Sequence, residues 1–196
     1  MTGAERGRRG VHVLEAVVDV IAERGLEAAT MRNVAAAAEI SLAQVQYYFR
    51  SKDDLVAAAF QHVTESFDTK LATVDLSGPA RKVLREALEL WLPIDESRAR
   101  DARVWLAFSA AAATSPALQE IAAATDNELR VAFARLLDAA AADGELPEVS
   151  DTEAEAALLL AVVDGLVVQG LALPEYARSH FLATSLDAHL TRLFTP

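Results

Sequence analysis

The chain has 196 residues, 53% of them hydrophobic, no cysteine, and a formal net charge of −11. Without cysteine there is no disulfide, thiolate metal site or thiol nucleophile, and nothing argues for an oxidising compartment. Abundant alanine with only eight glycines and six prolines predicts an all-α fold, and the length accommodates a small domain plus a larger one.

The acidity is unevenly spread. Residues 1–52 carry seven Lys/Arg and six Asp/Glu, leaving eleven and twenty-three beyond. The N-terminal quarter is therefore the only part whose charge suits an approach to a polyanion. Arg6, Arg8 and Arg9 read as a flexible basic arm, either simply solvated or reaching phosphates or a minor groove. No apolar stretch follows this basic patch as a signal peptide would require, because Glu15 and Asp19 interrupt the next segment. The longest apolar run, Ala156 to Val163, is far short of a membrane span. A cytoplasmic protein with no membrane partner is expected.

A first helix is predicted from about Gly10 to Arg24, with Val13, Leu14, Val17, Val20 and Ile21 inward and Gly25 as its stop. Two short crossed helices follow. Val34, Ala35 and Ala38 make one apolar face, and Val45, Tyr48 and Phe49 a second, with Ile40 between them. Ala35 falls where the axes would cross and a larger side chain would part them. Ser41 is a good N-cap for the second helix. With Val45 and Tyr48 inward, the 100° step per residue turns Ala43, Gln44, Gln46 and Tyr47 outward, with Leu42 at the edge. A small, amide-bearing and phenolic face suits a major groove lined with donors and acceptors, though an ordinary helical hairpin with solvated glutamines has the same spacing.

From Val13-Leu14 through Ile21, then Gly25, Thr30, Tyr47-Tyr48-Phe49, Ser51 and Lys52, residues 13–55 resemble the N-terminal domain of the TetR family of bacterial transcriptional regulators. The resemblance implies a helix-turn-helix domain over residues 1–52 and a ligand-binding and dimerisation domain over 53–196, about nine helices in all. It implies that Leu42, Ala43, Gln44 and Gln46 approach base edges of a double-stranded operator. Thr30, Arg32, Tyr47, Tyr48 and Lys52 would hold phosphates, Tyr48 through the hydroxyl at the rim of a buried ring. Two positions depart from the family pattern: Glu39 stands where the turn usually has glycine, and Ala43 where the second helix often has one. A non-glycine residue at positive φ costs on the order of 1 kcal/mol, so Glu39 marks either strain or a different turn.

A long helix from Ser51 to about Thr73, with Asp53 and Asp54 favouring its first turn, leads from the reading head into the body. Pro79 suits the first position of a helix ending before Pro93, and further helices are predicted over about 97–113 and 115–142. Ser150 to Glu153 form a capping box for a helix to about Leu173, and a last helix spans about Glu175 to Phe194.

The penultimate helix is apolar on two sides, with Leu158, Val162 and Gly165 on one and Leu160, Val163, Val167 and Leu171 on the other. It needs two partners. Other helices of the same chain could supply both. A two-fold four-helix seam is preferred, because helix-turn-helix proteins read two half-sites and the resemblance implies a homodimer through the last helices. Val163, Val167, Leu171, Leu182, Leu186 and Leu190 are the expected interface. Phe60, Phe67, Trp91, Trp105 and Phe108 could line one cavity for a small-molecule effector, neutral or cationic given the acidic body, or fill a solid core. Asp164 and Gln169 interrupt the apolar run and need partners, at the dimer seam or in the pocket.

No phosphate loop, nucleophile elbow or zinc pair occurs, and the four histidines are dispersed, so neither cofactor nor metal is expected. The reading is a homodimeric, non-enzymatic repressor released from a palindromic operator by a small molecule. The alternative is a helical small-molecule-binding protein or cofactor-free enzyme that never touches DNA.

Overall fold

The computed structural model describes residues 3–147 and 151–195, with side chains from Gly10 onward. Among them are nine α-helices and no strand: α1 Gly3–Arg24, α2 Met31–Ala37, α3 Leu42–Tyr48, α4 Lys52–Leu71, α5 Ala80–Glu89, α6 Glu96–Ala112, α7 Pro116–Ala142, α8 Thr152–Ala172 and α9 Glu175–Phe194. A single 3-10 turn, Leu26–Ala28, joins α1 to α2.

The helix ends follow local chemistry. α1 begins at Gly3 rather than near Gly10, because Ala4, Glu5 and the arginines are good helix formers. The expected arm is thus helical in its backbone, while the Arg6, Arg8 and Arg9 side chains lie outside the described residues. Pro79 is the N-cap of α5, one position earlier than expected. α8 is capped by Asp151, whose carboxylate accepts from the Ala154 N–H at 2.9 Å; Ser150, the expected cap, lies outside the described residues.

The chain forms two compact units. The first holds the residues up to Ser66 together with Arg103–Ile121, the second Phe67–Ala102 with the residues from Ala122 on. α4, α6 and α7 each have residues in both units. The first half of α4 has core duties in the first unit. Leu55 and Ala59 are buried there with Val13, Val17, Val18 and Ile21 of α1, Val34 and Ala35 of α2, Val45 and Phe49. His62 adds a 2.7 Å contact to Glu15 of α1.

In the second unit α9 packs against α8 and α5. Leu182, Leu186 and Leu190 are fully buried along α9. Gly170 lets α8 approach closely: a Cβ there would lie 2.9 Å from the Leu182 side chain and 3.2 Å from Pro93. The buried Arg178 donates to the Gly170 and Leu173 carbonyls at 3.0 and 3.3 Å, which satisfies the end of α8 with a cation of the favourable sign. Arg85 of α5 pairs with Asp187 of α9 at 2.8 Å, and that bond raises the already high Arg85 value.

By length and composition α8 could cross a membrane, which counting only the unbroken run 156–163 overlooked. Leu159, Leu160, Val163, Leu166 and Val167 are buried in the second unit, and that packing accounts for half of its apolar character.

Candidate nucleic-acid interface and body sites

α2 and α3 are seven residues each, too short to stand without caps and a core. Thr30 caps α2, its hydroxyl accepting from the Asn33 N–H at 3.2 Å, while the Asn33 amide donates to the Ala28 carbonyl at 2.8 Å. α2 then closes with the Ile40 N–H donating to the Ala35 carbonyl at 3.0 Å and the Glu39 N–H to Ala36 at 3.3 Å. This closure requires a left-handed residue, and Glu39 takes it at φ 52°. Glu39 thus holds a backbone conformation that favours glycine, at a cost on the order of 1 kcal/mol. His12 of α1 contacts the Ala38 carbonyl at 3.0 Å beside this turn.

Ser41 and Gln44 form a reciprocal capping box at the start of α3. Val45 and Phe49 anchor the helix from below, both buried. Tyr48 does not join them. It is 37% exposed, with its ring edge-on to Tyr47 at 5.4 Å, so the inward face is narrower than the spacing suggested. Phe49 terminates the helix in extended backbone, which throws Tyr48 to the rim. Thr30, Arg32, Leu42, Ala43, Gln44, Gln46, Tyr47, Tyr48 and Lys52 are all exposed.

Asp54 organises the head of α4. Its carboxylate accepts from the Arg50 and Ser51 N–H groups at 2.8 and 3.1 Å, and the Arg50 N–H followed by the Ser51 hydroxyl holds it below its ordinary value. Asp53 accepts from the Ser115 hydroxyl at 2.8 Å. Lys52 pairs with Glu27 at 3.2 Å, and Glu27 is 95% exposed. A pair this open is worth under about 1 kcal/mol, so it holds Lys52 only weakly. Sequence reading had no signal for Glu27, because the contact spans twenty-five residues and is made by tertiary packing.

The aromatic residues make ring contacts within each unit. Phe60 and Phe108 stack on each other in the first unit at 3.8 Å and 6°. Trp105 is half-buried in that unit. In the second unit Phe67 lies against Trp91 at 3.6 Å and 30°, and Trp91 faces Phe133 of α7 at 5.9 Å and 52°. Phe133 was missed, although its spacing to Leu137 and Ala140 marks the inward stripe of α7.

The last two helices bury most of the residues expected at an interface. Val163, Val167, Leu182, Leu186 and Leu190 are buried inside a single chain, and Leu171 is half-buried. The five buried side chains belong to the chain's own core, while Leu171 stays partly open. The outward stripe of α8 is instead Ala154, Leu158, Ala161, Gly165, Val168 and Ala172, exposed except for the half-buried Gly165. Its alternating four and three residue steps are the spacing of a helix seam. Asp164 and Gln169 lie on this exposed side. Asp164 reaches water in a single chain, but surrounding apolar protein and then the Asp126 charge push its carboxyl up to about 6. On α9, burial holds His189 below its ordinary value, and its Nε2 is buried without a hydrogen-bond partner.

Among the described residues no group of three or more His, Asp or Glu could hold a metal ion.

Residues 13–59 match the tetR family of bacterial regulatory proteins, and residues 80–195 match the C-terminal domain of the BetI-type transcriptional repressors. The transcriptional regulator PksA of Bacillus subtilis is 31% identical over 166 residues, covering 84% of this chain and 79% of the relative. A transcriptional regulator from Rhodococcus sp. Rha1 has the same fold, with TM-score 0.84, 34% identity and coverage of 93% and 94% of the two chains. A regulator from Saccharomonospora viridis, solved with choline, has TM-score 0.83 at 24% identity, covering 95% and 96%. A capped, two-helix reading head on a helical body, matched over both parts, identifies the chain as a member of the TetR family: a DNA-binding helix-turn-helix transcriptional regulator with a BetI-type C-terminal domain.

Proposed function

We propose that the protein is a cytoplasmic homodimeric repressor, with no enzymatic activity, that is released from a palindromic operator by a small organic cation. The observation that carries the reading is the apolar stripe Ala154, Leu158, Ala161, Gly165, Val168 and Ala172 on the open side of α8. Exposed apolar surface in seam spacing is costly unless covered, and a second copy of the same stripe covers it self-complementarily. Two copies carry two reading heads, and a two-fold pair of heads reads a palindrome with half-sites about 34–36 Å apart. The small side chains of the stripe let the helices approach closely. Asp164 and Gln169 then belong to the seam.

In each head, Leu42, Ala43, Gln44 and Gln46 face the bases, and Thr30, Arg32, Tyr47, Tyr48 and Lys52 the phosphates. The effector reading is supported by Phe67, Trp91 and Phe133, since aromatic faces attract organic cations, and by the acidic body. Phe67 and Trp91 lie against each other at 3.6 Å, so the proposed cation contact is the other face of Trp91. The Saccharomonospora relative was solved with choline, which makes choline the natural first probe. α4 carries Lys52 and Phe67 fifteen residues apart, about 22 Å along one helix. Moving Phe67 therefore moves the end that touches DNA. Taking the population from 1:99 to 99:1 requires about 5.5 kcal/mol of preference for the released state.

Selection of duplexes from a random pool tests this reading. A palindrome is expected, with Gln46→Ala relaxing one position by about 1–3 kcal/mol and Lys52→Ala lowering the salt slope by about one. Choline should release the operator from the unaltered chain and not from Trp91→Ala. Selection of no duplex, or of a single half-site by a monomer, would sink the repressor reading; indifference to organic cations would sink the effector.

A further inference from the structure

The capping box fixes more than the start of α3. The Ser41 N–H and the Ser41 hydroxyl both donate to Gln44 Oε1 at 3.0 Å, while the Ser41 oxygen accepts from the Gln44 N–H at 3.3 Å. A backbone N–H can only donate, so the amide atom facing it must be the oxygen; the orientation is set by chemistry and not by a choice between similar atoms. Both lone-pair directions of that oxygen are occupied. The two N–H bonds of Nε2 remain for whatever the exposed residue meets.

An unconstrained glutamine reads adenine by accepting from N6 and donating to N7 at once. Gln44 cannot accept while the box is closed. Opening it would strand the Ser41 N–H at the exposed end of a seven-residue helix that has few other bonds to hold it. We propose that Gln44 is a donor-only reader that selects guanine, whose N7 and O6 offer two adjacent acceptors in the major groove. Thymine offers O4 alone beside a methyl group, adenine sets a donor next to its N7, and cytosine presents only a donor. Gln46 differs in kind. It lies beyond the first turn, where no N-cap can engage its amide, and it keeps the two-way chemistry that suits adenine. The two glutamines of one helix, identical in sequence terms, thus carry different base preferences. This rests on the reading that α3 enters the major groove.

The test is selection of duplexes from a random pool by the full chain and by Gln44→Ala and Gln44→Glu, with helical content checked by circular dichroism. Gln44→Ala should erase the preference at one base pair per half-site, and in the unaltered chain that position should be guanine by about tenfold. Gln44→Glu keeps a side-chain oxygen for Ser41, completing a Ser-x-x-Glu box, but replaces the free donors by an acceptor. It should move the same position to cytosine, which donates through N4. Adenine, thymine or cytosine at the position that depends on Gln44 overturns the proposal while leaving the DNA-reading assignment intact, as does guanine retained by both variants. Failure of the unaltered chain to select any duplex would overturn both.

Discussion

α3 and α8 both turn a full face to solvent, and the two faces are opposites. α3 shows Gln44, Gln46 and Tyr47 and has only Val45 and the residue after it, Phe49, to anchor it. Its shape is maintained by caps, each a local hydrogen bond. α8 shows alanines, Leu158, Gly165 and Val168, and on its other side buries Leu159, Leu160, Val163, Leu166 and Val167. Its shape is maintained by core packing, and its exposed face is mostly apolar, with Asp164 and Gln169 as its polar groups. On the proposed reading, a helix that meets a polar groove can be small and locally capped, whereas one that meets its own copy must bury one apolar side in its own chain and offer another.

The largest effect should separate the two sides of α8 and α9. Leu186→Ala removes a fully buried side chain and should cost the folded chain about 2–5 kcal/mol, read as a fall in the denaturation midpoint. If Leu186 instead formed the dimer contact, the mutation would mainly change the oligomeric state. Leu158→Arg sharpens the same contrast from the outer side. Leu158 is 58% exposed, so the helical signal should be retained while sedimentation at micromolar concentration shifts from dimer to monomer. A dimer that survives the Leu158→Arg substitution would move the interface elsewhere.

A smaller effect is expected from Asp164. Its folded value is raised to about 6 from an ordinary 3.8, so the folded chain holds the proton more tightly than the unfolded one. The stability this contributes is fully present below pH about 4 and is lost as pH rises through about 6. Because the side chain reaches water, the screened effect is about 1 kcal/mol. Asp164→Asn should therefore stabilise the chain by about that much at pH 7 and leave it unchanged near pH 3. Equal effects at both pH values would attribute the change to packing.

The smallest effect belongs to α2. Glu39→Gly should relieve the φ 52° strain and raise stability by up to about 1 kcal/mol, with DNA selectivity unaltered. A loss of stability would mean that the Glu39 side chain contributes more than its backbone costs.

Much of this molecule is decided within a few residues of any point in the chain. Helix periodicity, Gly25 and Pro79 as punctuation, Thr30 and Ser41 as caps, and the strained Glu39 are all local, and a reader of the sequence can reason each from hydrogen bonding and sterics alone. Tertiary structure alone decided which of two apolar faces is inside. On α8 both faces are apolar, periodicity is blind to the difference, and only the close approach of Gly170 to Leu182 and the burial of Leu159, Leu160, Val163, Leu166 and Val167 assign it. The same holds for the aromatic residues. Their helical spacing does not say which rings touch: Phe60 stacks on Phe108, and Phe67 lies against Trp91, which faces Phe133. The pairing of Lys52 with Glu27 likewise depends on how the 3-10 turn meets the head of α4, a distance in space that no pattern along the chain encodes.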